Sequence, residues 1–199
     1  MSYDFVGELK QIGALKQGHF VLASGRHSDQ YVEKFDLLRH PRATEEACRE
    51  LIKIFSDFRD VDLIVGPTTG GILLAFEIGR QLGLPSAYAE RKDAGSSERE
   101  FKRGTHIAPG TRILVVDDVM TTGGSIRATL DAIDEVGAEA VAVALLVDRS
   151  GGEVTFMVPI VALASLDISS WPATDVPAWL EDIPITKPGT TDVGAEIGR

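Results

Sequence analysis

Thirteen consecutive residues, Ile113-Leu114-Val115-Val116-Asp117-Asp118-Val119-Met120-Thr121-Thr122-Gly123-Gly124-Ser125, combine the residue types that a sugar phosphate needs. Four apolar residues read as a strand, an acidic pair follows, and a loop of hydroxyls and glycines leads into a helix. Thr121 to Ser125 can wrap a phosphate with successive backbone N–H groups and hydroxyls at a helix N-terminus. Asp117 and Asp118, one step ahead, are placed to accept hydrogen bonds from vicinal hydroxyls of a sugar attached to that phosphate. The plainer reading is a strand-to-helix turn whose Thr, Ser and Asp residues merely cap the helix. It leaves two adjacent acids at a strand end without ligand or cation, which is costly. No Gly-x-x-x-x-Gly-Lys loop and no Gly-x-Gly-x-x-Gly fingerprint follows a strand, so the common nucleotide loops do not apply. A phospho-acceptor receiver domain would use an Asp pair but has no role for Thr-Thr-Gly-Gly-Ser.

The surrounding pattern predicts the elements that hold this segment. Tyr3 to Lys16 reads as an amphipathic helix through Phe5, Leu9, Ile12 and Leu15. Two extended runs, His19 to Ala23 and Gln30 to Phe35, flank the turn-rich Ser24-Gly25-Arg26-His27-Ser28. Pro41 opens a helix to about Phe58. Val61 to Val65 is a short strand that ends in Gly66-Pro67-Thr68-Thr69-Gly70-Gly71, and Ile72 to Leu82 has helical spacing. Arg112 to Val116 repeats the arrangement, with a loop over Asp117 to Ser125 and a helix over Ile126 to Val136. A third apolar strand, Ala140 to Val147, ends at Asp148-Arg149-Ser150-Gly151-Gly152. Near-continuous apolar strands alternating with helices mean an α/β, doubly wound, mainly parallel sheet covered on both faces. Ligands then bind outside the carboxyl ends of the strands, where these loops converge. Trp171 to Arg199 holds four of the nine prolines and little periodicity. It reads as an irregular arm with Trp171 and Trp179 packed onto the domain or a partner, and with its last ten residues mobile.

The chain has 199 residues, and its size and composition suit one globular domain: residues 1–40 before the core, 41–165 the α/β core, and 166–199 the arm. A net charge of −10 disfavours nonspecific binding to nucleic acid or an anionic membrane. Against that background Arg91 to Gly104 carries five basic and three acidic residues, a local excess that suits an anion site. The single cysteine, Cys48, excludes an intramolecular disulfide and Cys-rich zinc frameworks. With no apolar run long enough to span a bilayer, a reducing cytoplasm is the expected setting. His19, His27, His40 and His106 lack metal-ligand spacing.

The thirteen-residue stretch resembles, at every position, the 5-phosphoribosyl-1-pyrophosphate (PRPP) binding motif of type I phosphoribosyltransferases. Other segments narrow the resemblance to the orotate phosphoribosyltransferases. Phe20 to Tyr31 is similar to that family's N-terminal hood over the base, Gly66 to Gly71 to its pyrophosphate loop, and Asp148-Arg149 to its strand-end Asp-Arg. The likeness runs from about Gly18 to Gly152, and a subgroup continues it through Val154 to Pro172 and a tail like Ile183 to Gly189. Two departures stand out. The best-known members place lysines where this chain has Ala23 and Gly70. They also carry a Lys-x-His in the mobile loop, whereas here Arg91-Lys92 is followed by Asp93-Ala94-Gly95-Ser96-Ser97, with later basic residues at Arg99, Lys102 and Arg103.

The resemblance implies transfer of ribose 5-phosphate from PRPP to orotate, in pyrimidine biosynthesis, with Asp117, Asp118 and Lys92 catalytic. It assigns PRPP to Asp117, Asp118, Val119, Met120, Thr121, Thr122, Gly123, Gly124 and Ser125, with Thr69, Gly70, Gly71, Arg91 and Lys92 on the pyrophosphate. Orotate falls to Thr121, Arg149, Ser24 and Gly25. Arg99, Lys102 and Arg103 form the rest of a mobile basic loop that takes over charge neutralisation. Mg²⁺ is expected to arrive on PRPP without direct protein ligands. The family's loop serves the neighbouring subunit, so a homodimer is implied. Two other readings stay open at this point: an enzyme of the same fold acting on another base, and a PRPP-sensing regulator without turnover. Regulators of that kind carry an added DNA-binding domain, and only about 17 residues precede the hood segment here.

Overall fold

The computed structural model describes residues 3–22, 24–55 and 60–186. Its elements, numbered in chain order, begin with α1 (Phe5–Gln11), β1 (Leu15–Val21), β2 (His27–Val32), α2 (Lys34–Leu38) and α3 (Pro41–Ile54). The core continues with β3 (Leu63–Pro67), α4 (Gly70–Leu82), β4 (Ser86–Arg91), β5 (Arg99–Glu100), β6 (Arg112–Met120), α5 (Gly124–Glu135), β7 (Glu139–Asp148) and β8 (Ile160–Ser165). The described residues end in β9 (Ser170–Trp171), α6 (Ala178–Glu181) and β10 (Ile185–Thr186).

Six strands form the main sheet in the order β5-β4-β3-β6-β7-β8. β4, β3, β6, β7 and β8 run parallel, and the two-residue β5 closes one edge antiparallel to β4. Alternation along the strands divides the core into two layers. Ile64, Leu114, Val116, Ala142, Ala144 and Leu146 pack against Leu51 of α3 and Leu74 and Ile78 of α4. Leu63, Val65, Ile113, Val115, Val143 and Leu145 pack against Ile126 and Ile133 of α5. The sheet is thus covered on both faces, as the apolar strands require. The chain winds from β3 outward to β4, then returns to β6 and winds the other way through β7 to β8. The switch point lies between β3 and β6, and the loops after these two strands open side by side there.

Several boundaries differ from the sequence reading. The first helix stops at Gln11, where Ile12 caps it and Gly13 takes a φ of 73°. Leu15, whose spacing fitted the helix, is instead the first residue of β1. The second extended run is earlier than expected, because Glu33 caps α2 by accepting a bond from the Phe35 N–H at 3.3 Å and so turns Lys34 and Phe35 into helix. The α3 helix is described to Ile54, and the expected end near Phe58 lies outside the described residues. β6 continues through Met120, so the acid pair sits inside the strand and not in the loop after it.

The arm is more regular than its prolines suggested. β9 pairs antiparallel with β2 and β10 parallel with β1, giving a second sheet in the order β10-β1-β2-β9. Segments from the two ends of the chain therefore make one structure. Trp171 and Trp179 meet edge to face with centroids 5.8 Å apart, and Leu180 of α6 is fully buried. The mobility expected for the last ten residues lies outside the described residues. No described helix is long and apolar enough to cross a membrane.

Leu180→Ala should lower stability by about 2–5 kcal/mol, the cost of emptying a buried leucine site. Chemical denaturation followed by tryptophan fluorescence measures it, since both tryptophans of the chain lie in this arm.

Candidate active site

Asp117 and Asp118 lie near the end of β6, at the switch point, and are only 7% and 2% exposed. Burial is the main force on both: it disfavours the charged form and raises both carboxyls above the usual range. Asp117 is pushed up to about 7 by desolvation first and by the neighbouring Asp118 second, with its bond from the Asp118 N–H and the charges of Lys34 and Arg99 opposing. The Asp118 N–H reaches Oδ1 of Asp117 at 2.9 Å, and the Val119 N–H reaches Oδ1 of Asp118 at 2.7 Å. Lys34 of α2 lies 3.1 Å from each oxygen of the Asp118 carboxylate. Nothing in the spacing announced Lys34, which is separated from Asp118 by 84 positions.

Two helix N-termini face the same region. α4 follows β3 directly, and neither Thr69 before α4 nor Gly123 before α5 makes a side-chain cap. The first N–H groups of both helices are therefore left for an anion. Thr69 is exposed, and the Thr68–Thr69 peptide bond is cis. Gly70 and Gly71 are required by close approach: a Cβ on Gly70 would lie 1.8 Å from Oδ2 of Asp118, and one on Gly71 2.7 Å from the Pro67 ring. In the other loop Thr121, Thr122, Gly124 and Ser125 are exposed, while Gly123 takes a left-handed φ of 73°. Val119 is half-buried and packs in the first core layer, and Met120 is buried in the second. The Met120 side chain is thus a core residue, and its carbonyl accepts from the Arg149 N–H.

The basic segment divides into two parts. Arg99, expected in the mobile loop, is 6% exposed on β5. Its guanidinium donates to the Ala89 carbonyl at 2.8 Å, to the Thr68 hydroxyl at 3.1 Å and carbonyl at 3.4 Å, and to the Ser125 hydroxyl at 3.3 Å. It is a buried bolt between the two anion loops, because pairing of β5 with β4 turns it inward. The other cations are outside. Lys92 pairs with Glu98 at 3.2 Å, Lys102 with Glu100 at 3.1 Å, and Arg103 makes a forked pair with Glu90 at 2.8 and 2.9 Å. Arg91, also exposed, donates to the Ser96 carbonyl at 3.1 Å.

Arg149 follows β7, its backbone N–H bound to the Met120 carbonyl at 2.8 Å, which sets it beside the acid-bearing strand. Its Nε is buried without a partner, and burial lowers its pKa while Tyr31 of the hood sheet opposes the shift. An unpaired buried guanidinium nitrogen invites an acceptor such as a carboxylate. Ser24 and Gly25 lie at the exposed tip of the β1–β2 hairpin, where Gly25 has a φ of 77°. Among the described residues no bond joins that tip to the loops after β3 and β6, so the structure gathers the acid pair, both loops and Arg99 but leaves Ser24 and Gly25 apart.

The acid pair carries a pH signature. Asp117 has a folded-state pKa of about 7 against an ordinary 3.8, so the unfolded chain gives up its proton first and stability falls as pH rises from about 4 to about 7. Asp117→Asn removes that loss. Its melting temperature should exceed that of the wild type at pH 8, by about 2–4 °C per kcal/mol gained, and the gain should vanish near pH 4. An equal shift at both pH values would contradict the assignment.

This geometry has relatives. Residues 36–163 match the phosphoribosyl transferase domain family. The orotate phosphoribosyltransferase of Caulobacter vibrioides is 42% identical over 188 residues, covering 94% of this chain and 95% of that one. That of Caldanaerobacter subterraneus is 38% identical over 181 residues, covering 91% and 93%. The crystal structure of orotate phosphoribosyltransferase from Aeropyrum pernix superposes with a TM-score of 0.71 at 30% identity, covering 82% of this chain and 94% of that one. With a buried acid pair between two anion loops at the switch point of the sheet, and with these relatives along nearly its whole length, the chain belongs to the orotate phosphoribosyltransferase family.

Proposed function

We propose that the chain transfers ribose 5-phosphate from PRPP to N1 of orotate, giving orotidine 5′-monophosphate and pyrophosphate, as a cytoplasmic step of pyrimidine synthesis. The observation that carries this reading is the buried acid pair set between two uncapped helix N-termini. Such a site wants two anionic ends and a hydroxylated middle, and PRPP has that order. The C1′–O bond to pyrophosphate breaks as the N1–C1′ bond forms, with positive charge on the ribose ring and negative charge on the leaving group. Catalysis is then positioning and electrostatics.

Asp117 and Asp118 accept from the ribose hydroxyls and oppose the ring's positive charge. Thr121 to Ser125 and the N-terminus of α5 hold the 5′-phosphate. Thr69 to Gly71 and the N-terminus of α4 hold pyrophosphate, with glycine leaving the N–H groups accessible. Arg149 offers its free nitrogen to the acidic base, and Ser24 and Gly25 close over its other edge. Lys92, with Arg91, Lys102 and Arg103, covers the leaving group and excludes water.

No described cluster of three or more His, Cys, Asp or Glu is built to cage a metal, and the nearest donors are two buried acids, one already paired with Lys34. These donors fit a Mg²⁺ held chiefly by the diphosphate and water. When bound, the ion neutralises charge on the pyrophosphate. The exposed cations around Lys92 pair with Glu98, Glu100 and Glu90 and with the Lys92 and Ser96 carbonyls, none of which belongs to the acid pair, and this suits a loop donated to the second subunit of a homodimer.

The purified protein should consume orotate, followed by its ultraviolet absorbance, only when PRPP and Mg²⁺ are both present. Equal or faster turnover of adenine, hypoxanthine or uracil would reassign the base, and PRPP binding without turnover of any base would remove the enzymatic reading. Lys92→Ala should lower kcat by about ten- to a thousandfold, the range for one electrostatic donor. If the loop crosses the dimer, mixing Lys92→Ala with Asp117→Asn/Asp118→Asn subunits should restore activity, because each hybrid dimer contains one site with both parts intact. No recovery from hybrids shown to form would mean that each subunit closes its own site.

A further inference from the structure

Lys34 belongs to none of the loops above. It opens α2 just after β2 of the hood sheet and reaches the central strand β6, with 37% of its side chain exposed against 3% for Asp118. A solvent-edge cation is therefore laid over a buried acid. Oδ1 of Asp118 receives both the Lys34 ammonium and the Val119 N–H. Oδ2 lies within ion-pair distance of the same ammonium but has no hydrogen bond of its own, although it is fully buried. That oxygen also fills the space that any side chain at Gly70 would need. Around it stand Asp117 on β6 and Arg99 from β5 beside Asp117, with Arg91 next to Arg99. Among the described residues Lys34 is the one cation in contact with Asp118.

We propose that Lys34 is a positioning residue for the transfer: it fixes the Asp118 carboxylate against the floor between β6 and α4, in the orientation in which the acid pair accepts from a ribose hydroxyl of PRPP. The proposal rests on reading the acid pair as the ribose anchor. Lys34 also sorts the two acids. Its ammonium contacts Asp118 and opposes the burial that raises that carboxyl, while Asp117, raised by burial first and by Asp118 second, has no ammonium in contact. An ionised carboxylate offers both oxygens as acceptors, and a protonated one does not. Without Lys34 both acids are buried with no ammonium between them and solvent, and the first ionisation of the pair moves up.

The experiment measures PRPP binding by calorimetry from pH 5 to 9, with Mg²⁺ present, for wild type, Lys34→Met, Lys34→Arg and Asp117→Asn/Asp118→Asn. Lys34→Met should weaken binding about ten- to a hundredfold, the size of one charge-assisted hydrogen bond. Its loss of binding on acidification should begin at higher pH than in the wild type. Lys34→Arg should return most of the affinity and the original pH dependence, and melting curves should show both variants folded. Weaker binding by Lys34→Met with an unmoved pH dependence would mean that Lys34 only ties α2 to β6, and overturns the proposal while leaving the ribose anchor in place. Wild-type PRPP affinity in Asp117→Asn/Asp118→Asn would instead overturn the ribose anchor itself, and this proposal with it.

Discussion

Two neighbouring carboxylates placed inside a central strand raise an electrostatic problem to which much of the surrounding structure is an answer. Burial alone disfavours ionisation of both, and the chain meets this with two full positive charges and with backbone N–H dipoles. Lys34 contacts Asp118, Arg99 lies beside Asp117, and backbone N–H groups reach an oxygen of each acid. Oδ2 of Asp118 lies within ion-pair distance of the Lys34 ammonium and makes no further hydrogen bond.

Close approach of the backbone is the second constraint, and it follows from the first. For the N-terminus of α4 to sit against Asp118, position 70 must have no Cβ, and for β3 to turn straight into α4, Gly66 must touch Gly71: a Cβ there would meet the Gly71 carbonyl at 2.1 Å. Arg99 then bridges this loop to Ser125 at the start of α5. The spacing between the two anion loops is fixed by a single planar side chain whose donors point in fixed directions. The two loops are accordingly tied to each other by buried contacts and not by the exposed lysines.

The parts of this arrangement that were legible in the sequence are those encoded locally. β3, β6 and β7 announced themselves because both their faces are buried over the apolar runs 63–65, 113–116 and 142–147. β4 and β8 went unread, since most of their residues are only partly buried and the alternation is weak. Leu15 misled because its spacing fits a helix and a strand alike. β9 and β10 are two residues each and exist only through pairing with β2 and β1 at the other end of the chain, so no local pattern could carry them. The same reason hides Lys34 and misplaces Arg99. Asp117, Asp118 and the glycine loops could be found because their chemistry is written in consecutive residues, whereas the cations that balance them are brought in by topology.

That topology also separates the support of the two ends of the site. The acid pair and anion loops stand on the main sheet, but the hairpin tip bearing Ser24 and Gly25 stands on the sheet shared with the arm. A two-stranded hairpin is marginal alone, and here each strand gains a partner from the C-terminal segment. His19 faces the Ile183 carbonyl at 3.1 Å and His27 at 2.6 Å, the Ser28 hydroxyl donates to the Ser169 carbonyl at 2.8 Å, and Arg26 donates to the Ser170 hydroxyl at 2.9 Å and to its carbonyl. These contacts fix the hairpin from both sides without involving β3 or β6. The hairpin is therefore positioned by the arm, while the acid pair and the loops after β3 and β6 are positioned by the core. The two supports come together near Tyr31 and Arg149, where the Arg149 charge opposes the burial that raises the Tyr31 phenol.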